Sequence, residues 1–394
     1  MKAVILAAGK GTRMRGLCSH TPKPMLPIAN RSVISLLFSR LKGVGITEVG
    51  LVIGFEGEKL QALIGDGSRY GIKVSYIWQK EQLGTGHAAL ICEEFVGGEP
   101  FVLIFGDILT PAENFTEMVT LFGRDDCDAV ISVFTVADPS HGGAVDVKDG
   151  LVTGLIEKPP PGSMPNAYCN AGVFVWPAEI FDLIRDLEKS PRGEYEFTDG
   201  ITRFVENGRR LHAFELRGYW ENITDPETCL RMNRNVLSEV LPPPATGIDP
   251  GAEIAEGADV PDCRIETGAV IGRGCKLRGC RVAAGARLQA NVKADYAEIQ
   301  AGATIGSGSL LGPSVSIGEG SVIESDARIG PNASVGPGCV VRERASLSSA
   351  MMFEGSELGA GGALVNVVLD CGGKVDAGER VTGMPDKVIE ILAG

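Results

Sequence analysis

Nine large apolar residues stand six apart without interruption: Ile299, Ile305, Leu311, Ile317, Ile323, Ile329, Val335, Val341 and Leu347. A helix repeats its buried face every 3.6 residues and a strand every 2, so neither period produces this run. A fixed short repeat of this kind marks a β-solenoid, in which each hexad supplies one short strand and one turn. Glycine follows most anchors, as in Ile305-Gly306, Leu311-Gly312, Ile317-Gly318, Ile329-Gly330 and Val335-Gly336. The expectation is that these glycines take the positive-φ corners of the coil. Looser hexads run upstream through Ile248, Ile254, Val260, Ile265, Ile271 and Leu277. The C-terminal third is therefore predicted to be a parallel β-helix.

The first half reads differently. Ala3–Ala8, Glu48–Ile53, Lys73–Trp78, Phe101–Phe105 and Ala129–Val136 are strand-like runs. Candidate helices lie between them, from Ser32 through Lys42 and at about Glu58–Ile64, His87–Phe95 and Phe115–Gly123. Such alternation predicts a doubly wound, mostly parallel α/β sheet, whose ligands sit beyond the carboxyl ends of the strands. Both Gly9–Lys23 and Asp107 fall there. Leu241-Pro242-Pro243-Pro244-Ala245-Thr246-Gly247 reads as a stiff linker. The expected division is thus residues 1–240, a linker at 241–247, and the β-helix from 248 to 394.

Charge narrows the partner. The net charge is −13, which argues against a nucleic-acid partner. Eight basic residues and no acidic one precede Glu48, so residues 1–47 carry +8 and the remainder −21. A local cationic patch on an acidic chain suits a small polyanion. A basic helix face accounts for Arg40 and Lys42, but not for the four charges Lys10, Arg13, Arg15 and Lys23. The ten cysteines include no C-x-x-C pair and read as reduced, mostly buried residues of a cytoplasmic protein. The apolar opening is too short for a signal peptide, and no stretch approaches a membrane span.

Leu6-Ala7-Ala8-Gly9-Lys10-Gly11-Thr12-Arg13-Met14 is a glycine-rich loop after a strand, which lets backbone N–H groups approach phosphates. It lacks the Gly-Lys-Ser/Thr of a P-loop, and Met14 replaces the third glycine of a dinucleotide fingerprint. Pro22-Lys23-Pro24-Met25-Leu26-Pro27 follows, with two prolines holding a lysine in one extended path. Together these motifs resemble the sugar-1-phosphate nucleotidylyltransferase family. The nearest resemblance is to the branch with an appended left-handed β-helix of hexapeptide repeats, which includes glucose-1-phosphate thymidylyl/uridylyltransferases and N-acetylglucosamine-1-phosphate uridylyltransferases.

The resemblance implies a Rossmann-like nucleotidyltransferase domain, a Mg²⁺ cofactor and a set of roles. Arg13 and Lys23 are the catalytic cations. Leu6, Ala8, Gly9, Gly11, Thr12, Gln79, Gly84 and Thr85 bind the nucleotide, the last three reading a pyrimidine base. Gly143, Glu157, Lys158, Asn170 and Thr198 bind the sugar phosphate, with Glu194–Asp199 as the sugar-side segment. Asp107 and Asn222 hold the metal. Many relatives carry aspartate where Asn222 stands in Trp220-Glu221-Asn222, so Asp225 is an alternative ligand.

The implied reaction is attack of a sugar 1-phosphate oxygen on the α-phosphorus of UTP or dTTP, with pyrophosphate leaving. Glucose 1-phosphate and N-acetylglucosamine 1-phosphate both remain open as acceptors. Two anions must meet, so the burden is charge neutralisation and in-line placement. Alternatives are a non-catalytic sugar-nucleotide-binding subunit, and a bifunctional enzyme that also acetylates a sugar phosphate in the β-helix. Acetylating relatives commonly use a histidine base there, whereas His20, His87, His141 and His212 all precede the linker. The flat faces of the solenoid predict a homo-oligomer.

Overall fold

The computed structural model describes residues 1–9, 17, 21–140, 142–164, 167–243 and 245–392. Contacts divide the chain into two compact units.

The first unit is built on a nine-stranded sheet. Its strands are β1 (Lys2–Leu6), β2 (Glu48–Ile53), β3 (Lys73–Trp78), β4 (Phe101–Phe105), β5 (Ala129–Thr135), β6 (Gly143–Lys148), β7 (Leu151–Glu157), β8 (Tyr168–Trp176) and β9 (Leu211–Glu215). They lie in the order β3-β2-β1-β4-β8-β5-β9-β7-β6. The half from β3 to β4 is parallel throughout. Helices Val33–Gly43, Gly57–Ile64 and Thr85–Leu90 make its crossovers, and such crossovers are what parallel neighbours require.

Beyond β4 the sheet is mixed, which qualifies the expectation of a mostly parallel sheet. The strands β8 and β4 run antiparallel, as do β8 and β5, whereas β9 and β5 are parallel. The hairpin β6–β7 turns through Asp149 and Gly150, both at positive φ. A two-residue turn of that kind can only join antiparallel strands. The core of this unit gathers Phe101, Phe174, Trp176, Phe181, Phe197 and Phe204, all essentially inaccessible.

The second unit is a parallel β-solenoid of three sheets with nine, eight and seven strands. All nine hexad anchors point inward, from Ile299 to Leu347, none more than 3% exposed. The repeat continues past them through Met352, Leu358, Leu364, Leu369 and Val375. At the other end Ile248 is 51% exposed, because no coil precedes it to cover its face. Left-handed residues stand at the corners, and those leading into the nine-stranded sheet include Tyr296, Ser314, Asn332, Ser349 and Asn366. A five-residue step at such a corner leaves the stacked strands in register, as Ser334↔Met351 and Val335↔Met352 illustrate.

One expectation needs correction here. Gly306, Gly318 and Gly336 do not take positive φ. A Cβ on Gly306 would lie 2.5 Å from the carbonyl carbon of Glu324, so what excludes a side chain is the next coil's backbone. Gly312 and Gly330 do take positive φ, as the reading required. The contact boundary also differs from the linker boundary. The helix Pro226–Val240 and the residues Pro27–Ser32 group with the repeats.

The reason is a row of outward residues on one solenoid sheet, Glu298, Ser316 and Ser334, stacked in register. All three are buried. Arg31 donates to both Glu298 carboxylate oxygens at 2.6 and 2.7 Å. Asn30 Nδ2 donates to Ser316 Oγ, and Asn233 Oδ1 accepts from both Ala29 N and Ser334 Oγ. Polar side chains on a solenoid face are thus paired by segments far away in sequence, as burial demands.

Eight of the nine described cysteines are buried, Cys371 is exposed, and no disulfide joins any of them. Among the described residues, no helix is long and apolar enough to cross a membrane.

Candidate active site

A cleft of about 350 Å³ opens at the carboxyl ends of β1 and β4. Leu6, Ala7, Ala8 and Gly9 form its floor, and Lys23 and Pro24 one wall. Gln79, Gln82, Gly84, Thr85 and Ala88 form another, with Phe105–Asp107, Glu194 and Asn222 completing it. Nine of the residues given individual roles from sequence therefore meet in one place: Leu6, Ala8, Gly9, Lys23, Gln79, Gly84, Thr85, Asp107 and Asn222. Gly11, Thr12 and Arg13 lie outside the described residues.

Lys23 opens a short 3-10 helix, Lys23–Met25, rather than the extended path read from its flanking prolines, because Pro24 sits at a helix start where its missing N–H costs nothing. Lys23 and Asp107 form an ion pair at 3.0 Å. The carboxylate reaches it because Gly106 lies against β1, its N–H donating to Leu6 O at 2.9 Å; a Cβ there would come within 2.9 Å of the same oxygen. Asn222 comes from the other end of the domain by a different route. The short strand Glu221–Asn222 pairs antiparallel with Ile108–Leu109, placing Asn222 opposite Ile108. Its Oδ1 is buried without a hydrogen-bond partner among the described residues. A buried amide oxygen in that state needs a donor or a cation. Together with the Asp107 carboxylate it makes an all-oxygen pair suited to a hard divalent ion.

Asp225 is otherwise engaged. Its Oδ1 accepts from Thr228 N at 2.8 Å and its Oδ2 from Thr224 Oγ1 at 2.8 Å, capping the helix Pro226–Val240. Burial opposes its charge, but these hydrogen bonds outweigh it and hold the carboxyl below the usual aspartate range.

The Gln79–Thr85 side of the cleft is fixed by hydrogen bonds. Gln79 Nε2 donates to Gly84 O at 3.1 Å and faces His87 Nδ1 at 3.2 Å. Gly84 sits at φ 102°, and a Cβ on it would lie 2.5 Å from Tyr195 O. The segment is stitched to Tyr195 and Phe197: Tyr195 N donates to Leu83 O, Gly86 N to Tyr195 O, and Phe197 N to Thr85 Oγ1. Thr85 therefore has a structural task beside any base contact.

Pro24, Gln82 and Glu194 carried no individual role from sequence, yet they line the cleft. Gln82 Nε2 donates to Ala8 O at 2.8 Å, bracing the glycine-rich turn. The signal for each was its place inside a motif: the proline-flanked lysine, Gln79–His87 and Glu194–Asp199.

The proposed sugar residues do not line this cleft. Four of them cluster nearby. Gly143 pairs with Glu157 across the β6–β7 hairpin. A Cβ on Gly143 would meet Glu157 Oε2 at 3.3 Å and Asn170 Cβ at 3.6 Å. Thr198 lies beside the same carboxylate. Burial, then the charge of Glu196, pushes the Glu157 carboxyl above its ordinary range, while Arg192 and Thr198 oppose the shift. Lys158 follows Glu157 at φ 48° and donates its N–H to Gly142 O.

Comparison with known proteins identifies the family and the repeat. A family model described as nucleotidyl transferase matches residues 2–239, and one described as bacterial transferase hexapeptide (six repeats) matches 308–343. The chain is 39% identical over 241 residues to the low-salt glycan biosynthesis nucleotidyltransferase Agl11 of Haloferax volcanii, covering 61% of this chain and 67% of that one. It is 33% identical to the bifunctional protein GlmU of Methanococcus maripaludis over 61% of this chain, but that stretch is only 56% of GlmU. Among solved structures, one assigned as a glucose-1-phosphate thymidylyltransferase of Bacillus anthracis, in complex with a sucrose, superposes with a TM-score of 0.54 at 27% identity. That match covers 59% of this chain and 94% of the other.

Proposed function

The chain belongs to the nucleotidyl transferase family, and from that premise we propose that it transfers a nucleotidyl group from UTP or dTTP to a sugar 1-phosphate, with Mg²⁺, releasing pyrophosphate. The acceptor is glucose 1-phosphate or N-acetylglucosamine 1-phosphate. The observation that carries this reading is one cleft holding Lys23 and Asp107 at 3.0 Å beside the unpartnered Asn222 Oδ1.

Asp107 and Asn222 are the residues that would hold the metal, which when bound neutralises phosphate charge and orients the leaving pyrophosphate. Lys23 lines the cleft and is held there by Asp107. There it supplies positive charge where the two phosphates crowd. Arg13 has the companion role on the triphosphate, with Gly9, Gly11 and Thr12 offering backbone N–H groups. No general base is needed, because a sugar phosphate is already ionised at neutral pH.

Base choice follows from Gln79. Its amide nitrogen is committed to Gly84 O and His87, so its oxygen is the group left for an incoming ligand. An acceptor there suits the N3–H of uracil or thymine and repels N3 of cytosine. Glu157, Asn170 and Thr198 would take sugar hydroxyls, with Gly143 and Lys158 beside them.

Pyrophosphate release measured across UTP, dTTP, CTP and ATP against a panel of sugar 1-phosphates tests the reading. Turnover with UTP or dTTP and little with CTP is expected. Silence across the whole panel would remove the enzyme, and preference for CTP would remove the Gln79 argument.

For the solenoid we propose assembly into a homo-oligomer rather than acetyl transfer, since it contains no histidine to take the proton. Light scattering gives the assembly. Thiol release from acetyl-CoA with glucosamine 1-phosphate, above the enzyme-free rate, would overturn the second part.

A further inference from the structure

The cleft takes Asp107 and Asn222 from segments more than a hundred residues apart, whose strands pair over two residues, Ile108–Leu109 with Glu221–Asn222. So short a ladder is marginal alone. What holds it lies beneath, in polar groups that no part of the proposed reaction uses.

Arg40, on the helix Val33–Gly43, is the centre. Its place beside Lys42 suggested a solvated basic face, but it is only 4% exposed. Arg40 Nε donates to Thr110 O at 2.7 Å, three residues after Asp107. Arg40 Nη2 donates to Tyr219 Oη at 2.9 Å, three residues before Asn222. Nη1 donates to Leu36 O of its own helix. One planar guanidinium thus touches both ligand-bearing segments and the helix that carries it.

Two further residues close the frame. Thr110 Oγ1 donates to Tyr219 O at 3.0 Å and accepts from Asn114 Nδ2 at 2.6 Å. Asn114 Nδ2 also donates to Arg217 O, and its Oδ1 accepts from Arg217 N, both at 3.0 Å. Burying an arginine is costly unless its donors are used, and here they are used on backbone and phenol groups that flank the two ligands.

We infer that Arg40 and Tyr219 are positioning residues for the metal ligands: they fix the spacing of Asp107 and Asn222, and hence affinity for the divalent ion. The inference rests on the assignment of those two residues as ligands. Groups supporting metal ligands typically carry about 10–100-fold in metal affinity. Lysine cannot replace the arginine, because a single ammonium does not span three acceptors set in a fork.

The test is Mn²⁺ binding to the full chain with UTP or dTTP and no sugar phosphate, read from the electron paramagnetic resonance signal of free Mn²⁺. Arg40→Lys and Tyr219→Phe should each weaken binding about tenfold or more. Leu60→Ala, a buried residue on another helix, lowers stability without touching the frame and should leave affinity unchanged. If Arg40→Lys does not fold, Tyr219→Phe removes one hydroxyl and carries the test alone.

Wild-type protein that retains no Mn²⁺ with either nucleotide would overturn the metal assignment itself. Wild-type binding lost in Asp107→Ala but kept at full strength in Tyr219→Phe and Arg40→Lys would overturn this inference alone. Equal weakening in Leu60→Ala would reduce Arg40 to a purely structural part and overturn it as well.

Discussion

The two halves of this chain use sequence in opposite ways. In the solenoid every sixth residue performs the same task, so neighbours in space are near-copies 17 or 18 residues apart, such as Ile299↔Ile317 and Val335↔Met352. In the catalytic half the site residues follow no repeat, and their spatial neighbours come from distant segments: Lys23 meets Asp107, and Asn222 lies opposite Ile108. A repeat spreads its stability over many equivalent contacts. A site concentrates its function in a few contacts that have no substitute.

That contrast breaks if a catalytic substitution costs stability rather than rate. Lys23→Ala and Asp107→Ala should each cut pyrophosphate release by about 10²–10³-fold. Because each is partly exposed, the melting temperature should hold nearly constant. A variant that kept wild-type turnover would take its residue out of the mechanism. Excess Mn²⁺ should partly restore Asp107→Ala and do nothing for Lys23→Ala.

The reverse is expected in the solenoid. Ile317→Ala removes a fully buried anchor and should cost about 2–5 kcal/mol of stability, seen as earlier thermal loss of β signal in circular dichroism. Ile299 and Ile323 are equally buried anchors, so Ile299→Ala removes the same volume from the preceding coil and Ile323→Ala from another sheet of the same coil. Wholly unequal losses among the three variants would sink the picture of interchangeable rungs.

A finer comparison separates two kinds of glycine. Gly306→Ala drives a Cβ into the next coil's backbone and should cost about 1–3 kcal/mol. Gly302 stands at φ 66° with nothing within 4 Å of its Cβ site, so Gly302→Ala incurs only the left-handed strain of about 1–2 kcal/mol, and Gly302→Asn less still. Equal losses for Gly302→Ala and Gly302→Asn would show that conformation is not what selects that glycine.

The smallest effect concerns pH. Burial and Glu196 raise the Glu157 pKa in the folded protein, so the folded form holds its proton more tightly than the unfolded one. Ionised Glu157 therefore costs stability at neutral pH, and the cost disappears as pH falls through the raised value. Glu157→Gln should be more stable than wild type at pH 7 by on the order of 0.5 kcal/mol. The two should converge below the ordinary glutamate value of about 4.3. A constant difference in chemical-denaturation midpoint across that range would mean that Glu157 is not the titrating group.

Much of this molecule was legible before any fold was known, and the reason is local. The hexads alone marked which residues point into the solenoid, because a short coil leaves only one direction for an apolar side chain. Lys23 and Asp107 were legible as site candidates because each stands in a short motif just past a strand, and the structure brings them together. The tertiary structure decided what depends on partners distant in the chain. It buried Arg40, whose neighbour Lys42 had suggested a solvated face, because Thr110 and Tyr219 supply the acceptors. It set Arg31 against Glu298, 267 residues away. It left Asn222 Oδ1 unpartnered in the cleft while it occupied both oxygens of Asp225 in a helix cap. It also assigned Gly306 to close packing rather than to a turn. Composition and period report what each residue prefers by itself, whereas the pairing of a buried polar group depends on which other group the chain brings to it.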